Sequence, residues 1–170
     1  MIVVSDTTPI HYLVEIEEID LLPNLFNQII IPPAVIIELR DPSTPRKVKD
    51  WIQSRPTWLE LRRANTALFT PQKVIGNGEF EAFALALELK ADAVLLDDRG
   101  ATIEARRHNI RIIPTFAILE QAARKNLLDL PEAIDKMRQT SFRLPPEKVI
   151  QGMLDRDLRW KQSQMQKPEG

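Results

Sequence analysis

The chain has 170 residues, 44% of them hydrophobic, enough to build one compact core. Its 23 Lys and Arg against 24 Asp and Glu leave a formal net charge of −1, so any surface that attracts nucleic acid or anionic lipid has to be local. Without cysteine, and with only His11 and His108 as imidazoles, the chain excludes disulfides, thiolate catalysis and cysteine-held zinc.

The N-terminus lacks the basic segment and long apolar run of a signal peptide, and no apolar run approaches the ~20 residues of a membrane span. A soluble cytoplasmic protein without membrane contact is expected. Ile2-Val3-Val4 reads as a short buried strand that stops at Ser5-Asp6-Thr7-Thr8-Pro9, a polar run suited to starting a helix. Helical segments follow at Ile10 to Val14 and Leu21 to Phe26. Residues 29–32 form a second buried strand, and Pro33 opens the helix "PAVIIELR". A short exposed helix is expected before Pro56, and the alternation in "WLELRR" suits a half-buried or edge strand.

Residues 64–78 read as a loop closed by Gly76-Asn77-Gly78, ahead of "EFEAFALALELKA", the strongest helix by propensity. "AVLL" at 93–96 is a buried strand, "ATIEARRHN" a helix ending near Asn109, and "IRIIP" another strand. Thr115 begins a helix that stops at Asn126, and "PEAIDKMRQT" and "PPEKVIQGML" add two more. From Asp155 the chain is mostly polar and reads as a frayed tail or partner-binding arm, Trp160 with Arg156, Arg159 and Lys161 included. Short buried strands alternating with helices predict a mostly parallel sheet covered by helices on both faces.

In such sheets ligands bind outside the carboxyl ends of the strands. Asp6 and the Asp97-Asp98 pair stand at such ends. A helix-capping role accounts for either site alone, but the second carboxylate of the pair is then left without an obvious task. Glu38 taken alone is a solvent-facing helix residue. Glu79 and Glu81 fit the first turn of a helix, where the dipole favours carboxylates. The combination is what points to chemistry. Two carboxylates about 5 Å apart at an effective dielectric of about 20 repel by about 3 kcal/mol, so a converging set needs protons or a cation. Oxygen-only ligands select a hard divalent ion, Mg²⁺ or Mn²⁺, which suits phosphodiester chemistry.

The order strand-Asp6-Thr7-Thr8, then "VIIELR", then "GEFEAFALALELKADAVLLDD" resembles the PIN-domain nucleases, closest to a VapC-like, toxin-type branch. The resemblance covers roughly residues 2–125, and Glu79 to Asp98 is its most specific part. It implies a PIN-like α/β/α sandwich, with a nuclease domain over residues 1–140 and a C-terminal helix and polar tail over 141–170. It implies an endoribonuclease dependent on Mg²⁺ or Mn²⁺, in which a metal-activated water attacks RNA and leaves a 5′-phosphate and a 3′-hydroxyl. A homodimer inhibited by a small cognate antitoxin is implied as well.

Carried over onto this chain, the four catalytic acids are Asp6, Glu38, Glu79 and Asp98. Asp6, Asp98 and Glu79 are the implied metal ligands, with Asp97 and Thr8 in support. Glu79 stands where many members carry aspartate. Basic residues beside these acids are few: Arg40 and Arg99 are candidate RNA contacts, while Arg106 and Arg107 suit a solvated helix end. Two other readings compete. A haloacid-dehalogenase-like phosphatase would use Asp6 as nucleophile, but Thr8 stands where its second aspartate belongs, and Glu38 and Glu79 have no work there. A degenerate PIN-like module would bind RNA or protein without cutting.

Overall fold

The computed structural model describes residues 1–166. The chain forms two compact units, one spanning Met1–Thr115 and the other starting at Phe116. The first contains five strands: β1 (Val3–Ser5), β2 (Ile29–Ile31), β3 (Leu59–Leu61), β4 (Ala93–Leu95) and β5 (Ile112–Ile113). They pair in the order β3-β2-β1-β4-β5, every pair parallel. This is the sheet of the α/β/α sandwich expected from the sequence. β1, β2 and β4 are buried throughout, which is why they read as apolar runs, whereas β3 at the sheet edge passes from buried Leu59 to exposed Leu61.

The connecting helices are α1 (Thr7–Glu15), α2 (Leu21–Phe26), α3 (Pro33–Leu39), α4 (Arg46–Gln53), α5 (Asn77–Leu89) and α6 (Arg99–Arg107). α5 carries the centre of the core. Ala82, Phe83, Ala84 and Leu85 are fully buried, and the helix packs on β1 and β4. The segment before α5 is less loose than its composition suggests. It holds a single 3-10 turn, Thr66–Leu68, and buries Phe69 against Phe80 and Phe83 at ring distances of 5.6 and 5.4 Å.

The second unit carries α7 (Thr115–Arg124, whose first residue belongs to the first unit), α8 (Leu130–Arg138) and α9 (Glu147–Met165). Asn126 turns the chain with φ of 56°, as a helix stop requires. The frayed tail expected from Asp155 is instead the second half of α9. Two of its charges are paired: Arg156 forks onto Glu120 at 2.7 and 3.1 Å, and Lys161 reaches Asp157 and Asp129 at 2.8 and 3.1 Å. Residues 167–170 of that expected tail lie outside the described residues. No helix among the described residues is long and apolar enough to cross a membrane.

Phe83 has no exposed surface and touches the anchor of the α5 approach loop. Phe83→Ala is expected to cost about 3–5 kcal/mol in chemical denaturation. A loss below about 1 kcal/mol would show that α5 is not the keystone of this core.

Candidate active site

The strand order reverses at β1. The chain runs outward to β2 and β3, then returns to place β4 on the other side of β1. That switch point leaves a crevice at the carboxyl ends of β1 and β4. The Asp6 N–H donates to the Leu95 carbonyl at 3.0 Å, which sets Asp6 beside the end of β4 and Asp97 just beyond it. Each βα unit also brings a helix N-terminus to this edge, so backbone N–H groups surround the acids.

Asp6 occupies the N-cap position of α1, yet its side chain makes no capping hydrogen bond. It is 4% exposed, and its Oδ1 is buried with no partner. Burial first, then the charges of Glu79, Glu38 and Asp97, push its pKa up to about 8, against the pull of the Thr7 N–H. Nothing about helix capping explains such a residue.

Glu38, on the half-buried side of α3, turns inward rather than to solvent. It accepts from Thr7 Oγ1 at 2.5 Å and from the Gly78 N–H at 2.9 Å, at the N-terminus of α5. Gly78 lies between the two acids. A Cβ there would stand 2.7 Å from Asp6 Oδ1 and 2.8 and 2.9 Å from the Glu38 carboxylate oxygens. Only glycine lets the three groups meet.

Glu79, in the first turn of α5, folds back over Gly76, whose N–H favours its charged form and pulls its pKa down. Burial and the neighbouring Asp98 and Glu38 outweigh that, and the Glu79 carboxyl sits above the usual range. The adjacent aspartates divide their tasks. Asp98 is exposed and caps α6 through the Ala101 N–H at 2.7 Å. Asp97 accepts from the Thr115 N–H at 2.9 Å and Oγ1 at 2.6 Å, at the end of β5. Burial raises its pKa despite both bonds, and it is the member of the pair that acts on Asp6.

The structure thus gathers Asp6, Glu38, Glu79, Asp97 and Asp98 at one edge of one unit. Arg40 and Arg99 are exposed and bonded to none of them. Among the described residues the Thr8 hydroxyl is bonded to none of the acids, and the hydroxyl that reaches one is that of Thr7. Sequence reasoning also missed Gly78 and Thr115. Gly78 was marked by a Gly-x-Gly where backbone must pass close to something, and Thr115 by its place just after β5. Glu81 has a positioning role: it accepts the Ala34 N–H at 2.9 Å and so ties the start of α3 to α5.

A family model described as a PIN domain matches residues 2–156. The chain belongs to the PIN-domain family. Neither the curated proteins nor the solved structures gave a match. The family is of nuclease type and generally uses divalent metals. The donors of this PIN domain fit such an ion in their chemistry. They are all hard carboxylate oxygens, and the buried Asp6 Oδ1 has no hydrogen-bond donor of its own. Among the described residues no three such side chains stand close enough to form a ready-made metal cluster. Glu38, Asp97 and Asp98 instead accept from a nearby N–H or hydroxyl.

An unfolded aspartate titrates near about 3.9. Between there and about 8 the folded PIN domain keeps a proton on Asp6 that the unfolded chain has released. Stability without metal therefore falls as pH rises through that window. Melting in EDTA from pH 5 to 9 should show a declining Tm, and Asp6→Asn should make the decline shallower; an identical slope in both proteins would contradict the burial of this charge. Gly78→Ala should preserve the circular dichroism spectrum but displace Asp6 and Glu38, cutting catalysis by about 100-fold.

Proposed function

We propose that this PIN domain is a ribonuclease dependent on Mg²⁺ or Mn²⁺, of the VapC-like, toxin-type branch. The observation that carries the reading is the buried Asp6 carboxylate, whose Oδ1 has no partner and faces further carboxylates across the Gly78 backbone. A residue in that state is stabilised by a proton or a cation and serves no packing purpose. Asp6, Glu79 and Asp98 would hold the ion. When bound, such an ion neutralises the carboxylates, lowers the pKa of water and stabilises charge on a phosphoryl oxygen.

The chain's own groups do the rest. Glu38 is fixed by Thr7 and Gly78 in an orientation suited to receiving the proton of an attacking water. Asp97, clamped by Thr115, keeps the β4 end in place beside Asp6. The N-terminus of α5 presents positive dipole toward a phosphate. Water oxygen bonds to phosphorus, the bond to the 3′-oxygen breaks, and that oxygen takes up a proton, leaving a 5′-phosphate and a 3′-hydroxyl. The run from Gly78-Glu79 to Asp97-Asp98 supports the toxin-type branch, and with that branch come a homodimer, a small antitoxin and a cytoplasmic site of action.

Purified protein should cleave single-stranded RNA with Mn²⁺ or Mg²⁺ and lose that activity in EDTA. Asp6→Asn and Asp98→Asn should each remove it. Cleavage that survives both substitutions, or that resists the chelator, would overturn the assignment. Binding of Mn²⁺ and RNA without cleavage across a broad substrate panel would favour a degenerate module.

A further inference from the structure

Among the described residues no Lys, Arg or His is bonded to the acids, yet the substrate proposed above is a polyanion. Charge to hold it must come from beside the site. Residues 40–63 carry seven Lys and Arg against three Asp and Glu, a local excess of four positive charges in a chain of net −1. Part of that charge is already engaged: Arg46 with Asp50, Lys47 with Glu17 and Arg62 with Glu60. Arg40 and Arg55 are exposed and have no acidic partner among the described residues.

Both arginines line one open groove of about 690 Å³ between α3, the end of α4 and the edge strand β3. Its apolar wall is formed by Ile36, Ile37 and Leu61, and the last two are 70% and 41% exposed. Pro33 at the start of α3 and Leu61 at the end of β3 bring one side of the groove to the carboxyl edge of the sheet, the edge that carries Asp6. β3 lies two strands from β1, or about 10 Å at ordinary strand spacing. α3 stands between the two places, with Glu38 turned to the acids and Ile36, Ile37 and Arg40 to the groove.

We propose that this groove is an anchoring exosite for single-stranded RNA, holding its phosphates on one side of the bond to be cut. The assignment of RNA rests on the nuclease reading. Unpaired guanidinium groups bind phosphate through paired N–H donors. Apolar side chains beside them accept base faces without reading base identity, which makes the contact tolerant of sequence. A single strand fits because the chain must bend around α3 to reach acids as buried as Asp6.

The test is binding of a fluorescein-labelled single-stranded RNA of about 20 nucleotides, followed by anisotropy in EDTA across a salt series. Arg40→Gln combined with Arg55→Gln should weaken binding about ten-fold and lower the slope of log affinity against log salt by about 1.4, the loss expected for two phosphate contacts. Arg143→Gln, an exposed arginine of the second unit, should do neither. Unchanged affinity and slope in the double variant, with wild-type melting behaviour, would overturn the exosite even if the protein cleaves RNA. Arginine-dependent binding in a protein that never cleaves with Mn²⁺ would uphold the groove and remove the nuclease reading instead. If the two arginines govern retention of a poly-glutamate probe but not of RNA, the groove belongs to an acidic protein segment and the proposal fails.

Discussion

The structure turns on one carboxylate that nothing satisfies. Asp6 ends the central strand β1, is nearly inaccessible, and carries an oxygen with no donor within reach. A buried charge in that state is unfavourable, so the folded chain keeps it protonated unless a cation arrives. Everything adjacent is arranged around that problem. Gly78 gives up its side chain to leave space between Asp6 and Glu38, Thr7 and the Gly78 N–H hold Glu38, and Thr115 holds Asp97.

Like charges can be gathered here because of the parallel sheet. Every strand end in such a sheet is followed by a helix start, and each helix start offers free N–H groups and a positive dipole end. The acids divide these among themselves: Glu38 and Glu79 at α5, Asp98 at α6, Asp97 at the first residue of α7. Asp6 stands at the start of α1 and is the one that leaves its cap unmade. Topology thus supplies partial positive charge to the acids in place of lysine or arginine. Burial outweighs those partial charges, and with the neighbouring carboxylates it keeps Asp6 and Glu79 above the usual carboxylate range, as burial alone does for Asp97.

Much of this was legible in the sequence because its signals are local. β2 and β4 are short apolar runs, and β1 is one up to Ser5, as strands buried on both faces must be. The positions of Asp6 and Asp97-Asp98 after such runs imply adjacent strand ends, and β1 and β4 do lie side by side. What stayed hidden depends on contacts between distant segments. The Thr7–Glu38 bond spans 31 residues and the Gly78–Glu38 bond 40, and no periodicity encodes either. The division between Asp97 and Asp98 depended on where β4 ends relative to α6, a matter of one residue. The second half of α9 misread for a related reason: its charges looked solvated because Glu120 and Asp129, their partners, lie more than thirty positions away.

The same reasoning explains why net charge was a poor guide to what this chain binds. A value of −1 is the sum of an acidic edge and a basic flank, and the two are separated by a single helix. α3 faces the acids with Glu38 and the basic groove with Arg40, two residues apart in sequence but on opposite sides of the helix, since successive positions rotate by about 100°. Bulk attraction to a polyanion is cancelled by this arrangement, and local attraction survives at the distance of a nucleotide or two. A phosphate held on the basic side leaves its neighbours close to the buried acids, where the chain itself supplies carboxylates and N–H groups but no cation. In the proposed ribonuclease the two halves of the surface would be complementary requirements of one site: the flank would provide binding that the acids cannot, and the acids chemistry that arginines cannot.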